Sequence, residues 1–148
     1  MSRGAWSGGE GKMHLKTLGI PEHNDEGRWA VGFHEEFAPE FTRLPDTVRR
    51  QILSLGGLLE RFGPQLGRPH VDTLKGSKHA NMKELRFHAE DGAWRVAFAF
   101  DVKRKAILLV GGDKSGISEN KFYRNLIDVA DRRFEQHQGA LAAEKGKQ

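Results

Sequence analysis

The chain has 148 residues, of which 37% are hydrophobic and 30% charged, a composition that fits one globular domain with its own core. It has no cysteine, which excludes disulfides, thiolate nucleophiles and cysteine-ligated zinc and suits a reducing cytoplasm. A net charge of +4 and a pI near 9.5 favour anionic partners, and the longest apolar run, Ala106 to Val110, suits a strand rather than a membrane span.

Residues 1–27 hold scattered glycines and charges of both signs without periodicity or a signal-peptide pattern, so they are expected to form a flexible N-terminal extension. The domain is expected over 28–138. Trp29, Val31 and Phe33 alternate with Ala30, Gly32 and His34, which is the period of a half-buried strand. Phe37, Phe41 and Leu44 follow at helical spacing, broken by Pro39. A longer helix opens near Pro45 and Asp46, carries Val48, Ile52, Leu55, Leu59 and Phe62 on one stripe, and stops at Gly63-Pro64. Gly56 and Gly57 inside it predict close packing.

Three strands are predicted next: Met82 to His88, Trp94 to Asp101 and Lys105 to Gly112. Their short links predict an antiparallel meander. Ser118 is a good N-cap for a last helix bearing Phe122, Leu126, Val129 and Phe134, after which 139–148 is expected to be disordered. The predicted fold is α+β, in the order β-α-α-β-β-β-α, with a mostly antiparallel four-stranded sheet and helices on one face.

The segment Gly63 to Arg86, GPQLGRPHVDTLKGSKHANMKELR, sets Arg68, Lys75, Lys78, Lys83 and Arg86 against only Asp72 and Glu84. A phosphate-rich ligand would use such a cluster; a solvated loop is the plain alternative. If the helices cover one face, the pleat sends Glu84, Arg86 and His88 to the open one, with Arg95 beside them. Adjacent arginines call for an anion. It is either a ligand or the pair Glu84 and Asp101.

In order, that segment, WRVAFAFD, AILLVGGDKSG and KFYRNLIDVADRRFEQH resemble the RelE/ParE superfamily of type II toxins, and most of all its HigB-like branch, also met in phage-derived host-inhibition proteins. The resemblance spans about residues 28 to 138. It implies a RelE-like fold and a cytoplasmic toxin that cleaves mRNA in the ribosomal A site. It further implies neutralisation by a co-encoded antitoxin, usually a helix-turn-helix protein, through which alone the toxin meets operator DNA. The same fold serves ParE proteins, which poison DNA gyrase by binding without catalysis, and a degenerate homologue that only binds its antitoxin is a third reading.

Metal-free RNA cleavage needs a base for the 2′-hydroxyl, an acid for the leaving 5′-oxygen and cations for the phosphorane. The resemblance implies Lys83, Arg86, Arg95, Lys114 and Tyr123 for these roles, and no cofactor. Lys83 lies on the opposite face from Arg86 under strict alternation, so a bulge near Asn81-Met82 would be needed to bring it in. Arg68, Lys75, Lys78 and His79 are candidate RNA contacts. Tyr123, the only tyrosine, also fits as a core ring, and His79 also fits as an ordinary loop histidine. The seven histidines lack ligand spacing, which speaks against a metal site, and GGDKSG lacks the order of a phosphate-binding P-loop.

Overall fold

The computed structural model of the chain describes residues 28–146. The predicted extension, residues 1–27, lies outside the described residues. The elements are β1 (Ala30–Phe33), α1 (Phe37–Thr42), α2 (Asp46–Phe62), a 3-10 turn (Gly63–Gln65), β2 (Val71–Thr73), β3 (Lys83–Ala89), β4 (Gly92–Phe100), β5 (Lys105–Asp113) and α3 (Glu119–Gly146).

The α+β class holds, with β3, β4 and β5 as an antiparallel meander. Glu90 and Asp91 turn between β3 and β4 at φ 52° and 59°, the left-handed pair that suits a two-residue hairpin. β1 pairs parallel with β5, Ala30 opposite Lys105 and Phe33 opposite Leu108. A fifth strand enlarges the predicted four: Val71–Thr73 pairs antiparallel with β3 and completes the order β1-β5-β4-β3-β2. Three residues containing Asp72 and Thr73 are too few for alternation to register.

Helices pack on both faces of the sheet, not on one. On the first face α1 and α2 bury Phe37, Phe41, Val48, Ile52 and Leu59 against Val31, Leu85, Val96, Phe98 and Leu108. On the second, α3 buries Phe122, Leu126, Ala130 and Phe134 against Met82, Ala97, Ala99, Ile107 and Leu109. The reason lies in the strands themselves. Ala97 and Ala99 are small rather than polar, so a helix can approach, and Ala106 to Val110 is apolar at every position, as a strand buried on both sides requires. A Cβ on Gly112 would stand 3.1 Å from Phe122, so α3 lies almost on the β5 backbone. Each large side chain fully buried here contributes roughly 1.5–3 kcal/mol.

β5 carries a bulge. Ala97 pairs with Val110 and Phe98 with Leu108, so Leu109 is the extra residue. Its carbonyl accepts a 2.7 Å hydrogen bond from Arg133 Nη1. The same buried guanidinium grips Glu40 through both oxygens at 2.9 and 2.6 Å, which ties α3 to α1.

Three further details depart from the sequence reading. Pro39 does not break α1, because it sits in the first turn, where backbone N–H groups lack intrahelical acceptors anyway. Phe62 is 43% exposed and so leaves the buried stripe of α2. α3 runs on as helix to Gly146, past the predicted boundary at 138. Ser118 caps it as expected: its hydroxyl accepts from Lys121 N at 3.2 Å.

Candidate functional site

Covering the second face changes what that face presents. Arg86 and Arg95 are direct register partners across β3 and β4. Glu84 shares their face, two residues before Arg86, and is buried. Arg86 Nη1 donates to Glu84 Oε2 at 2.8 Å, and Arg95 Nε stands 3.9 Å from Oε1. The first turn of α3 lays Tyr123 over this pair. Its hydroxyl donates to Glu84 Oε1 at 2.9 Å and accepts from Arg95 Nε at 3.2 Å.

One carboxylate thus joins two guanidiniums and a phenol. Burial, with Glu84 next, pushes the Tyr123 hydroxyl above its usual value, so at neutral pH it is a proton donor. Arg95 was expected on an open face, yet only 5% of it is exposed, because α3 covers the sheet there. Arg86 keeps 21% of its side chain accessible.

Lys83 does not join the cluster. The β3 register runs without interruption past Lys83, opposite Phe98 and Thr73, so it shares the side of Leu85 and Phe87. The bulge that would redirect it is absent near Asn81-Met82; the one present is in β5. Lys114 follows the Trp94–Asp113 pair, two residues beyond Gly112, the register partner of Arg95. Its N–H donates to Ala93 O at 2.9 Å, and its ammonium lies 3.6 Å from Glu119 with 24% exposure.

The candidate RNA contacts line the β2 edge and the loop after it. Arg68 pairs with Asp72 at 2.7 Å but stays exposed, as does Lys75. Lys78 is exposed and 3.9 Å from Glu135. His79 is bound on two sides: Nε2 meets Glu135 at 3.2 Å, and its ring stands edge-on to Phe134. Buried Asp131 clamps this loop onto α3, accepting from Ser77 Oγ at 2.5 Å and from Lys78 N at 3.0 Å.

Glu84 and Asp131 are the residues that the sequence reading missed as functional parts. Glu84 was legible as an i, i+2 neighbour of Arg86 on one face; for Asp131 the sequence holds no such cue. Among the described residues no group of three His, Asp or Glu side chains is placed to hold a metal ion.

The fold class follows from the sheet and its flanking helices. They superpose on E. coli toxin RelE, a double arginine-to-alanine mutant in its free state, with a TM-score of 0.50 over 68% of this chain and 94% of that one, at 14% identity. That likeness establishes a RelE-type fold and no more. The chain belongs to the family described as phage-derived protein Gp49-like (DUF891), whose profile matches residues 39–135. It is also 49% identical over 89 residues to "Putative toxin HigB3" of Mycobacterium tuberculosis, covering 60% of this chain and 73% of that one. With "Putative toxin HigB2" of the same organism it shares 46% identity over 81 residues, 54% of this chain and 40% of that one. The HigB-like, RelE-type resemblance therefore holds.

Proposed function

We propose that the chain is the toxin of a type II toxin–antitoxin pair: an mRNA endoribonuclease that acts on translating ribosomes, without metal, in the cytoplasm. A cognate antitoxin of helix-turn-helix type holds it inactive and is its only route to operator DNA. The observation that carries this reading is the convergence of Arg86, Arg95 and Tyr123 on Glu84.

The chemistry follows from that geometry. Glu84 takes the 2′-hydroxyl proton, a role closed to Lys83 on the far face. The 2′-oxygen attacks phosphorus, the 5′-oxygen leaves, and Tyr123 returns a proton to it. Arg86, the accessible cation, and Lys114 stabilise the phosphorane, while buried Arg95 orients the phenol. Arg68, Lys75 and Lys78 hold flanking phosphates, with His79 as a wall of the loop.

The test is induction of the full chain without its antitoxin, followed by primer extension on a translated mRNA, with gyrase supercoiling assayed in parallel. Growth arrest with cut mRNA is the expected result. Whole mRNA with lost supercoiling would transfer the assignment to a ParE-like binding poison. One observation favours that second reading: Glu84 already neutralises the arginines internally, as a purely structural network would. Soluble protein without growth arrest would leave an inactive homologue that binds its antitoxin.

A further inference from the structure

The loop between β2 and β3 is closed at its base and then fastened to the last helix. Leu74, only 3% exposed, donates its N–H to Met82 O at 3.0 Å, and Met82 N donates to His79 O at 3.0 Å. Residues 76–79 all meet α3. A Cβ on Gly76 would stand 3.4 Å from Ile127 Cδ1. Ser77 Oγ donates to Asp131 Oδ1 and accepts from His79 N at 2.9 Å, while Lys78 N donates to Asp131 Oδ2. The His79 ring stands edge-on to Phe134, and its Nε2 meets Glu135.

Asp131 is the centre of this attachment. It is 6% exposed, and its two oxygens fix three consecutive loop residues, Ser77 and Lys78 directly and His79 through the Ser77 hydroxyl. A buried carboxylate satisfied by loop donors keeps the loop closed, because opening it removes both of them. What the closed loop presents to solvent is Lys75 and Lys78. Lys78 lies 3.9 Å from Glu135 with its side chain 75% exposed, so a phosphate can compete for it.

The helix relates this latch to the chemistry. Tyr123, Ile127, Asp131 and Glu135 recur every four residues and so form one stripe of α3. At ~1.5 Å per residue, Asp131 stands about 12 Å along the axis from Tyr123. One rigid element carries the phenol and, two turns on, the anchor of the basic loop.

We infer that Asp131 and Ser77 are positioning residues for RNA: they fix the loop so that Lys75 and Lys78 hold substrate phosphates at a set distance from Tyr123. Neither touches the reacting atoms. On a loose loop the lysines must be ordered as RNA binds, which weakens binding; on a latched loop they are ordered already. The inference rests on the ribonuclease reading, and its test keeps the two apart.

The experiment measures binding of an eight-nucleotide single-stranded RNA to the full chain and its variants, with primer extension on a translated mRNA alongside. In Ser77→Ala the Lys78 and His79 amides should exchange with solvent faster, and the eight-mer should bind on the order of tenfold more weakly. Ser77→Thr, which keeps the hydroxyl, should recover most of that loss. In a Lys75→Ala, Lys78→Ala background, Ser77→Ala should weaken binding no further, because the latch acts through those lysines. Unchanged amide exchange would overturn the latch itself. Parent-like binding by Ser77→Ala, or an equal loss in both backgrounds, would overturn the positioning role and leave an attachment that serves the fold alone. A parent that cuts mRNA but binds the eight-mer without help from the two lysines, or not at all, would overturn the positioning role and keep the ribonuclease. A parent that leaves mRNA whole and binds no eight-mer would remove the ribonuclease reading and the latch's role with it.

Discussion

Tyr123 and Glu84, 39 positions apart in the chain, share one proton-bearing contact: the phenol donates to Oε1 at 2.9 Å, in a place that β3 and α3 build only together. The hydroxyl also receives Arg95 Nε, so its orientation is fixed from both sides. A core ring would need neither partner.

Tyr123→Phe should keep the ring packed beside Phe122 and remove only the proton. Cleavage measured by primer extension is expected to fall on the order of 10²-fold, the lower range for a lost general acid. The melting temperature should drop by only a few degrees, as for one hydrogen bond of about 1 kcal/mol. Because the phenol's value is raised from 10, its ionisation weakens the fold only as pH climbs beyond 10, and below that it stays protonated. Parent-like cleavage by the variant would make Tyr123 structural.

Glu84→Ala should be far more damaging to the fold than to a surface. It leaves buried Arg95 without its carboxylate, and loss of one partner of a buried pair costs on the order of 3 kcal/mol. Urea unfolding measures this directly. Adding Arg95→Met should recover part of the stability and none of the cleavage. If the double variant is no more stable than the single one, Glu84 and Arg95 do not compensate each other.

Glu60 predicts a pH slope far from the site. Burial pushes its carboxyl up to about 7, only partly offset by Arg28 at 3.9 Å. The folded chain therefore holds this proton where the unfolded chain has released it. Stability contributed by the protonated form is complete below about 4.5, is lost as pH rises to about 7, and changes little beyond. A shift of that size corresponds to on the order of 3 kcal/mol. Unfolding curves for the parent and Glu60→Gln should diverge across this window, the variant being the more stable at pH 8. Parallel curves would show that Glu60 ionises alike in both states.

Arg133→Ala should loosen α3 from the sheet. It deprives the bulged Leu109 carbonyl and the half-exposed Glu40 of one buried donor, a loss of about 2 kcal/mol, as for hydrogen bonds to a charged group. Its hydrogen bonds hold the Glu40 carboxyl below the ordinary range, so the parent's bridge is present above about 4.5 and fails as pH falls further. The variant should accordingly lose less stability than the parent on acidification. Equal acid losses would place the effect elsewhere.

Much of this molecule was written plainly in its residues. Alternation at Trp94, Val96 and Phe98 and the two tight links define the meander, and Gly63-Pro64 ends α2 as its chemistry demands. The cluster of Arg86, Arg95 and Tyr123 was within reach because pleat parity and one short motif series point to it. The second helical layer was harder to see: Ala97 and Ala99 read as an unfilled surface, although small side chains are what a close helix needs. From that one misreading followed the exposed Arg95. Leu109 gives no local sign of its bulge, since a bulge is decided by the phase of both neighbouring strands.

The parallel pairing of β1 with β5 bears on the order in which the chain can fold. Ala30 emerges from the ribosome long before its partner Lys105, and among the described residues no other strand pairs with β1. The first strand therefore waits through α2 and three more strands before it gains a ladder, and Glu84 waits longer still for Tyr123. Contacts so distant in sequence form late and together. A nascent chain of this protein therefore holds an unassembled cluster until its last helix is made.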